Sequence, residues 1–137
     1  MKNALEDGYV VPGAGAYEVA VHLALRKGLS TLKGKARLGL QAYADGMLVV
    51  PKTLTHNAGY DPQEVIVTLM AEAESSGQPV GVDCSTGEAV NPVDLGILDN
   101  FRVKKQMIHS CTVIASNLLL VDEIMRAGLS SLKGGPM

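Results

Sequence analysis

Three stretches of the chain carry residue types that could do chemistry at a ligand. The first is Gly13-Ala14-Gly15-Ala16. Glycines let a backbone approach a ligand closely, and free amides where a helix begins favour an anion such as phosphate. The same residues suit an ordinary entry into a helix, and the longer glycine signatures are not met. A dinucleotide-type Gly-x-Gly-x-x-Gly needs glycine at position 18, where Glu18 stands. A Walker A loop fails because Gly34-Lys35 is followed by Ala36 and position 29 holds Leu29. The second and third stretches centre on Asp83 and Asp99. A carboxylate accepts hydrogen bonds from ribose hydroxyls, and Ile97 beside Asp99 could pack on a base. Turn chemistry and helix capping select aspartate just as well, so both readings stand for these two residues.

The remaining candidates read as structural. Lys104 and Lys105 suit a solvated face, and His109 and Cys111 suit packed core. Asp45 and Glu72 have no second carboxylate placed beside them by spacing, and no serine is marked as a nucleophile. His22, His56 and His109 lack metal-ligand spacing, and Cys84 and Cys111 are too few for a disulfide framework or a cysteine-based zinc site. Neither a metal ligand nor a catalytic group is expected.

The elements that must position these stretches follow from punctuation and periodicity. Residues 1–7 read as the last turns of a helix stopped by Gly8, and Tyr9-Val10-Val11 as a short extended piece ending at Pro12. Ala16, Val19, Ala20 and Leu23 form a helical stripe that Gly28 ends. A second helix is expected from about Gly34 to Asn57, kinked or broken by Pro51. Asp61-Pro62-Gln63-Glu64 is a helix start with an N-cap, proline at the first helical position and a capping-box glutamate. That helix ends around Ser75-Ser76-Gly77. Pro79 to Val90 reads as a small hairpin turning at Ser85-Thr86-Gly87. After a connector over 91–96, the longest helix is expected from Asp99 to Ala127, capped by Gly128. Its stripe of Val103, Met107, Cys111, Ile114, Leu118, Val121 and Met125 should bury one whole face.

Composition bounds the function. The chain has 137 residues, 47% hydrophobic and 19% charged, enough to bury a core and unlike a disordered tail. Aromatics are only 4%, with a single Phe and no Trp, so that core must be aliphatic. The net charge is −2, +1 before residue 68 and −3 after it, so no basic excess points to a nucleic-acid partner. The longest weakly polar run, residues 106–121, is shorter than the roughly 20 apolar residues of a membrane span and contains His109, Ser110, Ser116 and Asn117. No membrane partner is expected, and the default address is a reducing compartment such as the cytoplasm.

The order of the three stretches resembles a known family. Val10-Val11-Pro12-Gly13-Ala14-Gly15-Ala16, then Gly81-Val82-Asp83 with Thr86-Gly87-Glu88, then Gly96-Ile97-Leu98-Asp99-Asn100 with Val103-Lys104, are similar to the carboxyl-terminal part of a group II chaperonin subunit. The stretch from His109 to Asn117, that from Leu120 to Gly128 and the ending Ser130-Ser131-Leu132-Lys133-Gly134 resemble one kind of subunit within the eukaryotic cytosolic chaperonin.

The resemblance implies a mostly α fold, the carboxyl-terminal half of an equatorial domain with long helices and one small β-hairpin. Residues 1–8 would end the intermediate domain, 9–130 would belong to the equatorial ATP-binding domain, and 131–137 would form a flexible tail. It implies a subunit of a hetero-oligomeric double ring that folds unfolded proteins such as actin and tubulin with ATP, in partnership with the other chaperonin subunits. Gly13 and Gly15 would match the family's glycine loop at the nucleotide, Asp83 would lie near base and sugar, Asp99 would bind the ribose hydroxyls, and Ile97 and Leu98 would lie near the adenine. The family's Gly-Asp-Gly-Thr phosphate loop, through which Mg²⁺ is engaged, its hydrolytic aspartate and its apical substrate-binding domain belong to segments that these residues do not include. The expectation is therefore a contribution to an ATP site, with ATPase activity left open, in a truncated product, an incomplete sequence or a degenerate copy. The rival expectation is a non-catalytic helical interaction protein docking on chaperonin subunits. Gly46 stands where the family usually has alanine inside a helix, a local cost of about 1 kcal/mol.

Overall fold

The structure, a computed structural model, describes residues 2–125. The chain divides after Arg102 into two units. The first opens with α1, Lys2–Asp7, which ends at Gly8 in the left-handed conformation (φ 67°) with the Gly8 N–H donating to the Ala4 carbonyl. Strand β1, Val10–Pro12, follows as the sequence suggests, and α2, Ala16–Gly28, starts and stops where the glycines predict.

The expected break at Pro51 comes three residues ahead of it. Helix α3 covers Lys35–Met47 and α4 covers Val49–Asn57, with Leu48 as the joint. Proline has no N–H to donate back one turn, and its ring crowds the carbonyl at that place. The α3 ladder therefore cannot run through Met47, and the chain re-enters a helix at Val49. Helix α5, Pro62–Ser76, has its designed start: Asp61 Oδ1 accepts from the Gln63 N–H at 2.8 Å, and Pro62 takes the first helical position. Gly77, at φ 65°, ends it in the left-handed region that glycine tolerates.

Strands β2, Gly81–Val82, and β3, Ala89–Val90, form the expected antiparallel hairpin. The aliphatic core gathers Val19, Leu48, Ile66, Leu69, Val80 and Val82, packed by Leu23, Leu54, Val65 and Met70. His22, buried on α2, ties that helix to α3 with Nδ1 2.7 Å from the Ala44 carbonyl oxygen.

Two features depart from the sequence reading. Leu98–Asn100 is a strand, β4, pairing antiparallel with β1: Val10 faces Asn100, Val11 faces Asp99 and Pro12 faces Leu98. The fold therefore has two small two-stranded sheets, and Asp99 is a strand residue, not a helix cap. The pair is extended beyond its end by Tyr9 and Phe101, whose rings meet edge to face with centroids 6.3 Å apart, and by Arg102, which bonds Asp7 and lies 3.6 Å from Glu6. The bond to Asp7, and then that residue's charge, raise the Arg102 pKa above its ordinary value.

The second departure concerns the long helix. Helix α6 covers Phe101–Leu119, so it begins later than the expected Asp99 and stops before the last residues of the stripe, and residues 120–125 are not helical. In the second unit the stripe is not a buried face. Val103, Ile114, Leu118 and Val121 are exposed, as are His109 and Cys111, which the sequence placed in packed core. Lys104 is buried, against its reading as part of a solvated face, whereas Lys105 is exposed. Gly128 and the tail over 131–137 lie outside the described residues.

Candidate functional site

The Gly13–Gly15 loop follows β1 and is bonded both to the hairpin and to the residue just before β4. The Gly13 N–H donates to the Ile97 carbonyl at 3.0 Å, just before β4, and the Ala14 carbonyl accepts from the Val82 N–H of β2 at 3.0 Å. Ile97 is itself fixed by its N–H donating to the Pro92 carbonyl at 2.8 Å. These bonds gather the Gly13 loop, the hairpin base and the Ile97–Asp99 segment, which are far apart in sequence.

The closeness of that packing explains the glycines. A Cβ on Gly13 would lie 3.1 Å from both Cγ2 and the carbonyl oxygen of Ile97. One on Gly81 would lie 2.7 Å from the Ala14 carbonyl oxygen, and one on Gly15 2.8 Å from Cβ of Pro51. Gly15 has φ 78°, and Ala14 has φ 54°, the one positive value at a non-glycine among the described residues. The loop thus turns through two successive left-handed residues into α2, whose N-cap makes no side-chain hydrogen bond.

The amides sort themselves. Those of Gly13 and Ala16 are used internally, the latter by the Gly13 carbonyl at 2.9 Å. Those of Ala14 and Gly15 make no hydrogen bond within the described residues. Two adjacent N–H groups at a turn of this kind are chemically suited to an anion. The expectation of free amides at the helix start therefore holds for Ala14 and Gly15 and not for Gly13.

Asp83 is half-buried at the end of β2. Its Oδ1 accepts from the Ser85 N–H at 2.8 Å, its own N–H donates to the Glu88 carbonyl at 2.9 Å, and its carbonyl accepts from the Gly87 N–H at 2.8 Å. The turn role is thus real, and it occupies one carboxylate oxygen. Asp99, also half-buried, sits on β4 opposite Val11, and Ile97 and Leu98 are 41% and 47% exposed, apolar surface open to a planar ligand.

Two residues were not singled out by the sequence. Glu18, in the first turn of α2, is fully buried. A carboxylate two residues past a helix start and between the apolar Ala16 and Val19 was the available signal. Tyr60, between α4 and α5, reaches the hairpin turn; nothing in its neighbours' spacing marks it.

Comparison with known proteins bears on this arrangement. Residues 1–128 match the TCP-1/cpn60 chaperonin family. The chain belongs to that family. It is 61% identical over 133 residues to T-complex protein 1 subunit zeta-2 of Homo sapiens, and 53% identical over the same length to that of Mus musculus. In each case 97% of this chain and 25% of the relative are covered, so the chain spans about a quarter of the length of these relatives. Among solved structures, an open-state monomer of a group II chaperonin from Methanococcoides burtonii superposes with a TM-score of 0.79 at 33% identity, covering 84% of this chain and 29% of that one. The mostly helical fold of a chaperonin segment is thus established, as is the likeness to the zeta subunit that the stretches from His109 to Gly128 suggested. Among the described residues, no helix is long and apolar enough to cross a membrane.

Proposed function

We propose that this chaperonin chain contributes one side of an ATP site and, with the other subunits of a hetero-oligomeric ring in the cytoplasm, takes part in ATP-dependent folding of unfolded proteins. The observation that carries the reading is the convergence, through backbone bonds, of Gly13–Gly15, the Asp83 hairpin and Ile97–Asp99. The residues fit a nucleotide by type: two unbonded amides for a phosphate, an apolar Ile97–Leu98 ledge for adenine, and two carboxylates for sugar hydroxyls. Bound ATP would supply the phosphoanhydride whose cleavage drives a chaperonin cycle. This chain's share is to hold the base and sugar and to cap one phosphate. Domain limits at residues 8 and 130 are part of the same reading.

Titration of the 137-residue polypeptide with ATP, followed by amide NMR, tests it. These residues include no Gly-Asp-Gly-Thr stretch. The expected dissociation constant is therefore about millimolar, roughly −4 kcal/mol, with shifts at Ala14–Tyr17, Asp83–Gly87 and Ile97–Asn100. Micromolar affinity would refute a partial site, and unmoved resonances there would refute the nucleotide reading.

The exposed apolar residues Val103, Ile114 and Leu118 of α6 favour a second reading, a helical interaction protein that docks on chaperonin subunits. Co-sedimentation with intact rings in the absence of nucleotide, together with no ATP shifts, would select it.

A further inference from the structure

The hairpin turn that carries Asp83 is held from outside by a side chain 25 residues away in sequence. Tyr60 Oη donates to the Ser85 carbonyl at 2.6 Å. Its ring lies so close on Gly87 that a Cβ there would come within 2.7 Å of Cδ1 and 2.8 Å of Cγ, and Gly87 is left-handed at φ 76°. The ring and the hydroxyl thus grip the turn at two points, Gly87 and Ser85. Ser85 in turn donates its N–H to Asp83 Oδ1 at 2.8 Å. Oδ1 is thus engaged, and Oδ2 makes no hydrogen bond within the described residues.

Resting on the nucleotide reading above, we propose that Tyr60 is a positioning residue for the nucleotide: it holds the Ser85–Gly87 turn so that the second carboxylate oxygen of Asp83 faces the sugar or base. Tyr60 touches no ligand and acts through Ser85 and Asp83. Its loss lets the turn relax and costs the nucleoside contact while leaving the phosphate contacts at Ala14 and Gly15 in place.

Five polypeptides of 137 residues test this: the unsubstituted chain, Tyr60→Phe, Asp83→Ala, the double variant of these two and Gly87→Ala. Each is titrated by amide NMR with ATP and, separately, with inorganic tripolyphosphate. Tyr60→Phe keeps the ring on Gly87 and removes only the hydroxyl. The ATP dissociation constant should rise about fivefold, the worth of one net hydrogen bond, and that for tripolyphosphate should not move. In the Asp83→Ala background, Tyr60→Phe should have no further effect. Gly87→Ala, which displaces the ring, should reproduce the ATP-selective loss. An unchanged ATP constant in Tyr60→Phe, an equal loss for both ligands, or an undiminished fivefold loss in the absence of Asp83 overturns the inference. ATP binding by the unsubstituted chain with no response to Tyr60→Phe sinks this inference alone; no ATP binding by the unsubstituted chain sinks the nucleotide reading and this inference with it.

Discussion

At the scale of single residues, Asp99 and Gly81 have separable jobs. Asp99 stands on β4 opposite Val11 with its neighbours locked by backbone bonds, so replacing its side chain leaves the strand pairing intact. In a full-length chaperonin subunit carrying this segment, Asp99→Ala should weaken ATP binding by roughly 1.5–3 kcal/mol, the range for hydrogen bonds to a charged group, and change hydrolysis of bound ATP less. Equilibrium dialysis and single-turnover hydrolysis measure the two. Gly81→Ala acts by sterics: its methyl would meet the Ala14 carbonyl at 2.7 Å. It should cost about 1–3 kcal/mol in chemical denaturation, and backbone cannot rotate away as a side chain would. The residue types at this site were legible in the sequence, because glycine pairs and isolated aspartates are unusual enough to single out. The roles were less so. Asp99 follows a short apolar run and precedes a helix, which is the pattern of an N-cap; only its partner Val11, far away in the chain, makes it a strand residue. Tyr60 was invisible for the same reason, since its hydroxyl bonds a carbonyl 25 residues on.

At the scale of elements, local signals were dependable wherever the physics is local. Asp61 and Pro62 start α5 and Gly77 ends it as capping chemistry requires. Asp61→Ala should therefore lower stability by about 1 kcal/mol, read as a shift of the denaturant midpoint. Helix α3 offers the opposite change. Gly39 and Gly46 lie within it, and a Cβ at either meets nothing within 4 Å. Gly46→Ala should raise stability by up to about 1 kcal/mol, and the Gly39/Gly46 double change by more, because alanine costs less backbone entropy in a helix; thermal melts of the three proteins check the order. Helix α6 is where the local signal falls short. Its apolar stripe obeys helical spacing, yet periodicity reports only that a face is suited to burial, not that something covers it.

At the scale of the whole molecule, that uncovered face dominates the expected behaviour in solution. Val103, Ile114 and Leu118 are 55%, 58% and 62% exposed, and contiguous apolar surface of this kind marks an interaction site or an aggregation liability. The polypeptide should bind hydrophobic dye and self-associate, and Ile114→Lys with Leu118→Lys should reduce both, as read by light scattering after size exclusion. A monomer that binds no dye and melts in one sharp transition would contradict this.

The pairing of β1 with β4 also imposes an order in time. Val10 cannot meet Asn100 until about 90 further residues have been made, which at 5–20 residues per second takes roughly 5–18 s. Until then Val10 and Val11 are an unclaimed strand, and the Gly13 loop lacks the Ile97 carbonyl that anchors it. The helices and the hairpin, built from nearer neighbours, have no such wait. On the ribosome, the seam that gathers the three ligand-suited stretches is thus the last part of this unit to close, and Val10 and Val11 spend those seconds as a bare apolar edge.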